Sequence, residues 1–453
     1  MRDLLIIGIV LMAALIALRK PWIGAILWTW LSLMNPHRYA WGFAYDAPLA
    51  AVAAGSTLLG LLMTRERDSP FKGAPVSWFM ALSVWITISW LMGLDVQGDM
   101  AQWEKVMKIN LMILVGLALM RTKEHIFVLV WVCTLSLALL GAKGGVFTIA
   151  NGGNYRVWGP PESFVADNNQ FALALVMVIP LLRFMQLQAT AAWLRYTLLL
   201  MMLLCAAASI GSHSRGGLLA IAGMALLLWW RGRSRLVGGV AIALTAFALV
   251  TFMPETWLSR METIQTYDED TSALGRFSAW WVSWRVAFVY PTGVGLNIAR
   301  ADLFALYSPY AELGTYVAHS IYFQILGHHG FFGLFLFVMI WLSTWRWASK
   351  LRKEAEGIPE ARWCADMASM GQVALVGYLA GGAFLNLAYF DLPYYIMSMV
   401  VLARVWVARK AWEKEVATPG GWRALIGISK PTAAASTGRE GARSGRRVPS
   451  GLP

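Results

Sequence analysis

Residues 126–147 read IFVLVWVCTLSLALLGAKGGVF, an apolar run in which Lys143 is the one charged residue. A helix crosses a bilayer on about 20 predominantly apolar residues, and on fewer when it is buried among other helices. Similar runs extend outward from this one in both directions: 4–18, 21–35, 47–63, 76–93 and 107–120 before it, and 169–186, 193–211, 216–230, 236–253, 330–345, 369–390 and 392–408 after it. The first two are short and separated by Arg19-Lys20-Pro21, so they read either as two short spans or as one broken crossing. The total is twelve or thirteen.

Composition requires the same solvent. Hydrophobic types make up 58% of the 453 residues and charged types 14%, with mean hydropathy +0.56. A soluble domain carries about a quarter charged residues. In lipid the backbone must bond internally, as helices or closed barrels, and runs this long and continuous favour helices. The formal net charge of +13 resides between apolar runs or in the C-terminal tail. It reads as a topology signal rather than a nucleic-acid footprint. Many of the 24 tryptophans stand near the ends of runs, as an interfacial aromatic belt requires. Cys133, Cys205 and Cys364 have no metal spacing, and Leu4–Leu18, lacking a small-residue cleavage site, reads as retained.

Basic residues cluster in alternate loops: Arg65, Arg67 and Lys72; Arg121 and Lys123; Arg231, Arg233 and Arg235; Arg346 to Arg362; and the tail from Arg404. These are expected to be cytoplasmic. The loops at 94–105, 148–168, 212–215 and 254–317 are then external. Twelve spans leave both termini cytoplasmic, and a thirteenth places the N-terminus outside. Four regions follow: a transmembrane bundle over 1–253, an external loop over 254–329, further spans over 330–410, and a basic tail over 411–453 whose composition points to disorder.

The residues able to carry chemistry lie in the external loops. In Gly211-Ser212-His213-Ser214-Arg215-Gly216-Gly217, an arginine opens an apolar helix and is followed by two glycines. A helix N-terminus with an arginine suits phosphate or diphosphate, although Arg215 also reads as a snorkelling side chain. The spacing of Phe277, Trp280, Trp281, Trp284 and Phe288 predicts an interfacial helix over Thr271 to Val289, with Arg276 and Arg285 alongside. Arg276 reads equally as substrate-binding or as snorkelling, and Arg285 as snorkelling. Pro291-Thr292-Gly293-Val294-Gly295-Leu296-Asn297 reads as a packing turn. His319 precedes a helix, where a near-neutral imidazole can accept a proton from a hydroxyl or can simply cap. His328 and His329 read as structural. Arg156 and the amides of the polar loop 151–171 can meet sugar hydroxyls or phosphate, while Asp167 and Asn168 read as helix caps. Asp268-Glu269-Asp270 reads as a solvated turn rather than a divalent-ion site.

Taken in order, these are an Arg-Gly-Gly after an external turn, a long loop with Gly-Arg-Phe, a Gly-x-Gly-x-Asn turn, and His-Ser ahead of a Gly-x-x-Gly helix. The set resembles the O-antigen ligase superfamily, which also holds O-antigen polymerases and bacterial protein O-oligosaccharyltransferases. With the Gly-Pro-Pro…Asp-Asn-Asn loop, the layout is most similar to the exosortase-associated putative O-glycosylation ligases. The resemblance spans residues 1 to about 410. It implies an all-α polytopic membrane protein, a glycosyltransferase of the membrane-embedded C class, with one long periplasmic loop containing interfacial helices. It further implies a multi-pass protein of the bacterial inner membrane that takes a glycan from undecaprenyl diphosphate at the periplasmic face. The glycan passes to a sugar hydroxyl of lipid A–core with inversion and without a metal ion or other cofactor. His319 matches the family's functional histidine, Arg215 the arginine of its Arg-Gly-x motif, and Arg276 the arginine of the long loop. Ser320 stands where relatives often carry Asn.

Two neighbouring readings keep the donor: a protein O-oligosaccharyltransferase, whose acceptor is a Ser or Thr hydroxyl, and a polymerase. A third, from another class, is a transporter or flippase for the same lipid-linked glycan. No internal repeat is evident, and ionisable residues at mid-span depth, typical of transporters, are few.

Overall fold

The computed structural model describes residues 2–231, 271–414 and 422–428, with scattered positions between 236 and 257. The apolar run 236–253, the Asp268-Glu269-Asp270 turn and the tail beyond 428 lie largely or wholly outside the described residues. Among the described residues every regular element is helical. In chain order they are α1 (Arg2–Ala17), α2 (Pro21–Met34), α3 (Leu49–Met63), α4 (Ala74–Leu91), α5 (Met100–Leu119), α6 (Lys123–Ala150), α7 (Asn168–Gln188), α8 (Ala192–Gly211) and α9 (Arg215–Arg231). They continue with α10 (Thr271–Val289), α11 (Ala301–Tyr307), α12 (Ile321–Glu354), α13 (Arg362–Gly382) and α14 (Asp391–Ala408), besides short 3-10 turns and two four-residue helices after Ala408. Helices α4, α6, α7, α8, α12 and α14 are long and apolar enough to cross a membrane, and α2, α3 and the start of α9 are shorter apolar helices. The chain is an all-α polytopic membrane protein.

The first two runs are two helices, not one. The chain turns at Arg19 and Lys20, whose amides both donate to Ile16 O. The turn returns α2 to the end where α1 began, for Asp3 at the start of α1 accepts from the amides of Gly42 and Ala44, 3.1 Å each, in the loop after α2. The N-terminus therefore lies at the same end as the loops between α4 and α5, α6 and α7, and α8 and α9. This end is called the site end, and the opposite one, rich in arginine and lysine, the basic end. Other boundaries moved as well. The run 369–390 stops being helical at Gly382, where the chain turns through 383–390 before α14.

Helices α7 and α14 are buried almost all round and form the centre of the bundle. Lipid gives no hydrophobic drive between helices, so close approach depends on small residues. Between α6 and α8, a Cβ on Gly145 would lie 2.2 Å from Leu204 O and one on Gly211 2.1 Å from Thr148 Oγ1. Glycine at 145 lets backbone approach backbone, and glycine at 211 makes room for the Thr148 side chain.

Helix α12 is broken at Gly330, whose φ of 68° and ψ of −174° lie outside the helical range. The Pro291–Asn297 turn enters the break. Val294 N and Gly295 N donate to the carbonyls of Gly327 and His328, and Trp85 Nε1 donates to His329 O at 2.8 Å. Backbone groups freed by the kink are thus bonded, as burial away from water demands. The histidine doublet locks the same joint. Tyr389 Oη lies 2.8 Å from His328 Nδ1 and 2.6 Å from His329 Nε2, while His329 Nδ1 lies 2.8 Å from Ser89 Oγ. Ser89 Oγ donates toward the carbonyls of Thr292 and His328, at 2.6 and 2.8 Å. With that proton committed, one donor order satisfies the chain: His328 Nδ1–H to Tyr389, Tyr389 O–H to His329 Nε2, and His329 Nδ1–H to Ser89.

At the basic end Asp68 joins the loop after α3 to two other segments, with Arg409 Nη1 at 2.5 Å and Arg121 Nε at 3.4 Å. Residues 422–428, within the stretch expected to be disordered, are ordered against the bundle. Ile428 is buried, Arg423 pairs with Glu124 at 2.8 Å, Lys123 Nζ donates to Gly427 O at 2.7 Å, and Thr190 N donates to Leu425 O. The apolar Leu425, Ile426 and Ile428 inside a polar tail explain the docking.

Candidate active site

The N-termini of α7, α9 and α12 meet at the site end. Asp167 Oδ1 accepts from Asn169 N at 2.9 Å and caps α7. The next side chain, Asn168, donates to Ser212 O at 2.6 Å and so ties α7 to the turn ahead of α9. Ser214 Oγ accepts from Gly217 N at 3.0 Å and caps α9. Gly217 allows α9 to touch α7, for a Cβ there would stand 2.8 Å from Ala172 Cβ. Helix α12 starts at Ile321 with no side-chain cap. Each N-terminus presents free N–H groups and the positive end of its dipole.

Aromatic contacts join these termini to α10. Gly216, next to Arg215, packs on Phe384 and Leu385 in the turn after α13. Phe384 meets the ring of Trp280 at 6.4 Å, and Trp280 stacks on Phe323 of α12 at 5.0 Å. Trp280 Nε1 donates to Ala318 O at 2.6 Å. That bond fixes the peptide just before His319, whose φ of 44° is in the left-handed region. A side-chain-bearing residue pays to sit there, and such strain gathers at functional sites. Arg276 lies one helical turn before Trp280, on the same side of α10.

The charges around His319 set its protonation. Its pKa is lowered from the ordinary 6.5 to about 4, by burial first and by the Arg276 cation next, with Asp167 opposing them. The imidazole is therefore neutral at neutral pH, within the field of a cation and a carboxylate. Arg215 is half-buried at the first position of α9, and Arg156 is exposed on the loop 151–167 beside it, since the next residue, Val157, donates from N to Gly211 O at 3.2 Å. The structure thus gathers all four expected residues at one end, with Arg276 acting directly on His319. Arg285 belongs elsewhere. Its guanidinium lies over Trp281 at 5.1 Å and lines a separate cleft of about 440 Å³ between α10 and α11.

Three contributors escape a reading from spacing. Asp167 is a cap, as its position suggested, and also the carboxylate that acts on His319. Trp280 looks like one more member of an apolar stripe, yet its indole N–H holds the histidine's backbone. His213 is buried with φ 57°, and its Nε2 donates to Gly153 O at 2.8 Å. It pins the loop that carries Arg156, and its place beside the Arg-Gly-Gly was the available signal. Among the described residues no group of three or more His, Cys, Asp or Glu is placed to hold a metal ion.

Comparison with known families divides the chain in two. Residues 1–190 match a family of unknown function, DUF5935, and residues 198–338 match the family described as O-antigen ligase. No curated protein matches the chain.

Proposed function

We propose that this chain, a member of the O-antigen ligase superfamily through its domain at residues 198–338, transfers a glycan from undecaprenyl diphosphate to a sugar hydroxyl of lipid A–core. The reaction takes place at the periplasmic face of the bacterial inner membrane, on a fold of the C class of glycosyltransferases, in a protein of the exosortase-associated branch. The observation that supports the reading is a left-handed His319 just ahead of α12, its backbone held by Trp280, with Arg276 and Asp167 near enough to act on its charge.

In the reaction the acceptor oxygen forms a bond to the anomeric carbon of the donor sugar. The bond from that carbon to the diphosphate oxygen breaks, its electron pair leaves with the diphosphate, and the anomeric centre inverts. The acceptor proton moves to His319. A base held at a pKa of about 4 is weak in the free protein. Binding of the anionic donor beside Arg276 compensates that cation and raises the proton affinity of the imidazole. The protein thus arms its base when the donor arrives, and Asp167 stabilises the imidazolium that forms. Arg276 and Arg215 meet the charge developing on the leaving diphosphate, aided by the free N–H groups of α9. Arg156, on the exposed loop, contacts the glycan or its first phosphate. With arginines in this role a metal ion is dispensable.

The same donor serves a protein O-oligosaccharyltransferase or a polymerase, so the assay must vary the acceptor. Purified protein in detergent, with EDTA, is offered undecaprenyl-diphosphate glycan and either lipid A–core or a pilin-type protein. Transfer to lipid A–core by the parent, and loss of about 10²–10⁴ in rate in His319→Ala, is the expected result. Transfer to the protein alone would refute the acceptor, and full activity in the variant would refute the base. A transporter places its site near the midplane, whereas these residues gather at one end.

A further inference from the structure

A second group of cations stands at the site end, in the region that supplies neither His319 nor Arg215. Lys105 is in the second turn of α5, and Lys143 lies two turns before the end of α6. Lys143 is an ionisable group within a spanning helix, a costly placement that marks functional positions. Among the described residues neither lysine makes an ion pair within 4.0 Å. Each ammonium instead lies over an aromatic ring: Lys105 Nζ is 4.1 Å from the ring centre of Phe164 and Lys143 Nζ 5.6 Å from that of Tyr39. Both lysines are reachable from outside the protein.

The neighbouring charges are already engaged. Arg38 pairs with Glu162 at 2.8 Å and with Asp46 at 3.6 Å. Asp391, also near Lys105, is buried and accepts from Ser32 Oγ at 2.6 Å, and Glu104 pairs with Lys108 at 2.7 Å. Lys143 thus stands against Tyr39 of the Pro36–Tyr39 turn and Lys105 against Phe164, in the loop whose Glu162 pairs with Arg38 of that turn, both with donor capacity to spare. One loop connects them to the catalytic groups. The segment 151–167 leaves α6, lends Gly153 O to His213, pairs Glu162 with Arg38, places Phe164 under Lys105, and ends at Asp167 beside His319.

We propose that Lys105 and Lys143, beside the Pro36–Tyr39 turn and the loop it pairs with, bind phosphate on the acceptor lipid glycan. This rests on the ligase reading above. The donor has a single diphosphate, which Arg215 and Arg276 occupy, so a second cationic pair at the same end serves the other substrate. A molecule anchored there extends along the loop 151–167 toward the base. The pair then selects acceptors bearing an anion at a fixed distance from the attacking hydroxyl.

The test uses the purified full chain and the variant Lys105→Gln/Lys143→Gln, with thermal unfolding to confirm that the variant is folded. Initial rates are measured with intact lipid A–core and with the same acceptor after phosphatase treatment. The parent is expected to show a KM for the intact acceptor at least tenfold lower than for the treated one. In the variant that preference disappears while the donor KM stays the same. A preference unchanged in the variant, or a rise in the donor KM alone, overturns the proposal. If the parent transfers to neither acceptor, the ligase reading fails and binding decides the subsite. Native mass spectrometry then compares intact lipid A–core with phosphatidylglycerol. Selective loss of lipid A–core from the variant sustains the subsite, and equal loss of both lipids reduces it to a bilayer headgroup contact.

Discussion

Arg276→Gln tests the charge balance around His319 directly. The pKa of the imidazole falls from 6.5 to about 4; at 1.36 kcal/mol for each pH unit, the free protein disfavours the imidazolium by roughly 3 kcal/mol. Burial is the larger cause and Arg276 the next. Glutamine keeps the polar stem and removes the charge, so the acid limb of kcat/KM, which reports the free protein, should move from about 4 toward 6.5 without reaching it. The limb of kcat reports the donor complex, in which the diphosphate already compensates Arg276. In the parent it should lie above the limb of kcat/KM, and in the variant both limbs should lie above their parent positions. The variant also loses charged hydrogen bonds to the leaving group, each worth about 1.5–3 kcal/mol, so kcat at neutral pH should fall by about 10- to 150-fold. The assay is transfer from undecaprenyl-diphosphate glycan between pH 3.5 and 8. A kcat/KM limb that stays in place or moves downward would refute the coupling, and an unchanged kcat would remove Arg276 from the diphosphate.

Other consequences are more local. Because the folded pKa of His319 is depressed, the unfolded chain binds the extra proton between pH 6.5 and about 4. Thermal stability should therefore fall as pH drops through that window, and His319→Ala should flatten the fall. Tyr389→Phe deprives His328 and His329 of their shared hydroxyl; leaving buried partners unsatisfied should cost about 1–3 kcal/mol each, read as a lower unfolding temperature in detergent. Gly330→Ala places a Cβ 2.1 Å from Pro291 O, and the displaced turn should destabilise the fold by at least the 1–3 kcal/mol typical of overpacking.

The spans were legible because lipid leaves a direct mark on composition, and α10 emerged with the expected ends, Thr271 and Val289, because its aromatic spacing is helical. The break at Gly330 was not legible. It depends on a turn some forty residues earlier entering the helix, and neither segment announces the other. The two-helix reading of 4–35 required Asp3 to find the amides of Gly42 and Ala44, a contact with no sequence signature. At the site, His319 and the arginines stood out as charged groups beside helix starts. Asp167 did not, since capping already accounted for it, and Trp280 was hidden among equivalent-looking rings. Lys143 appeared as the lone charge in an apolar run, but its tie to Tyr39 awaited the packing of α6 against the loop after α2.

The loop 151–167 and the start of α7 belong to the region matched by the family of unknown function, while the turn they grip, Gly211 to His213, belongs to the ligase region. The seam between the two is stitched at Val157 to Gly211, Asn168 to Ser212 and Gly153 to His213. A recombinant that joined this ligase region to a foreign first half would keep Arg215 and His319 in the chain yet lose the carboxylate and the hydrogen bonds that aim them. Only Asn168 and His213 contribute side chains to the seam, and both reach backbone carbonyls, so a substitution at either one should loosen it with no side chain on the other bank able to compensate.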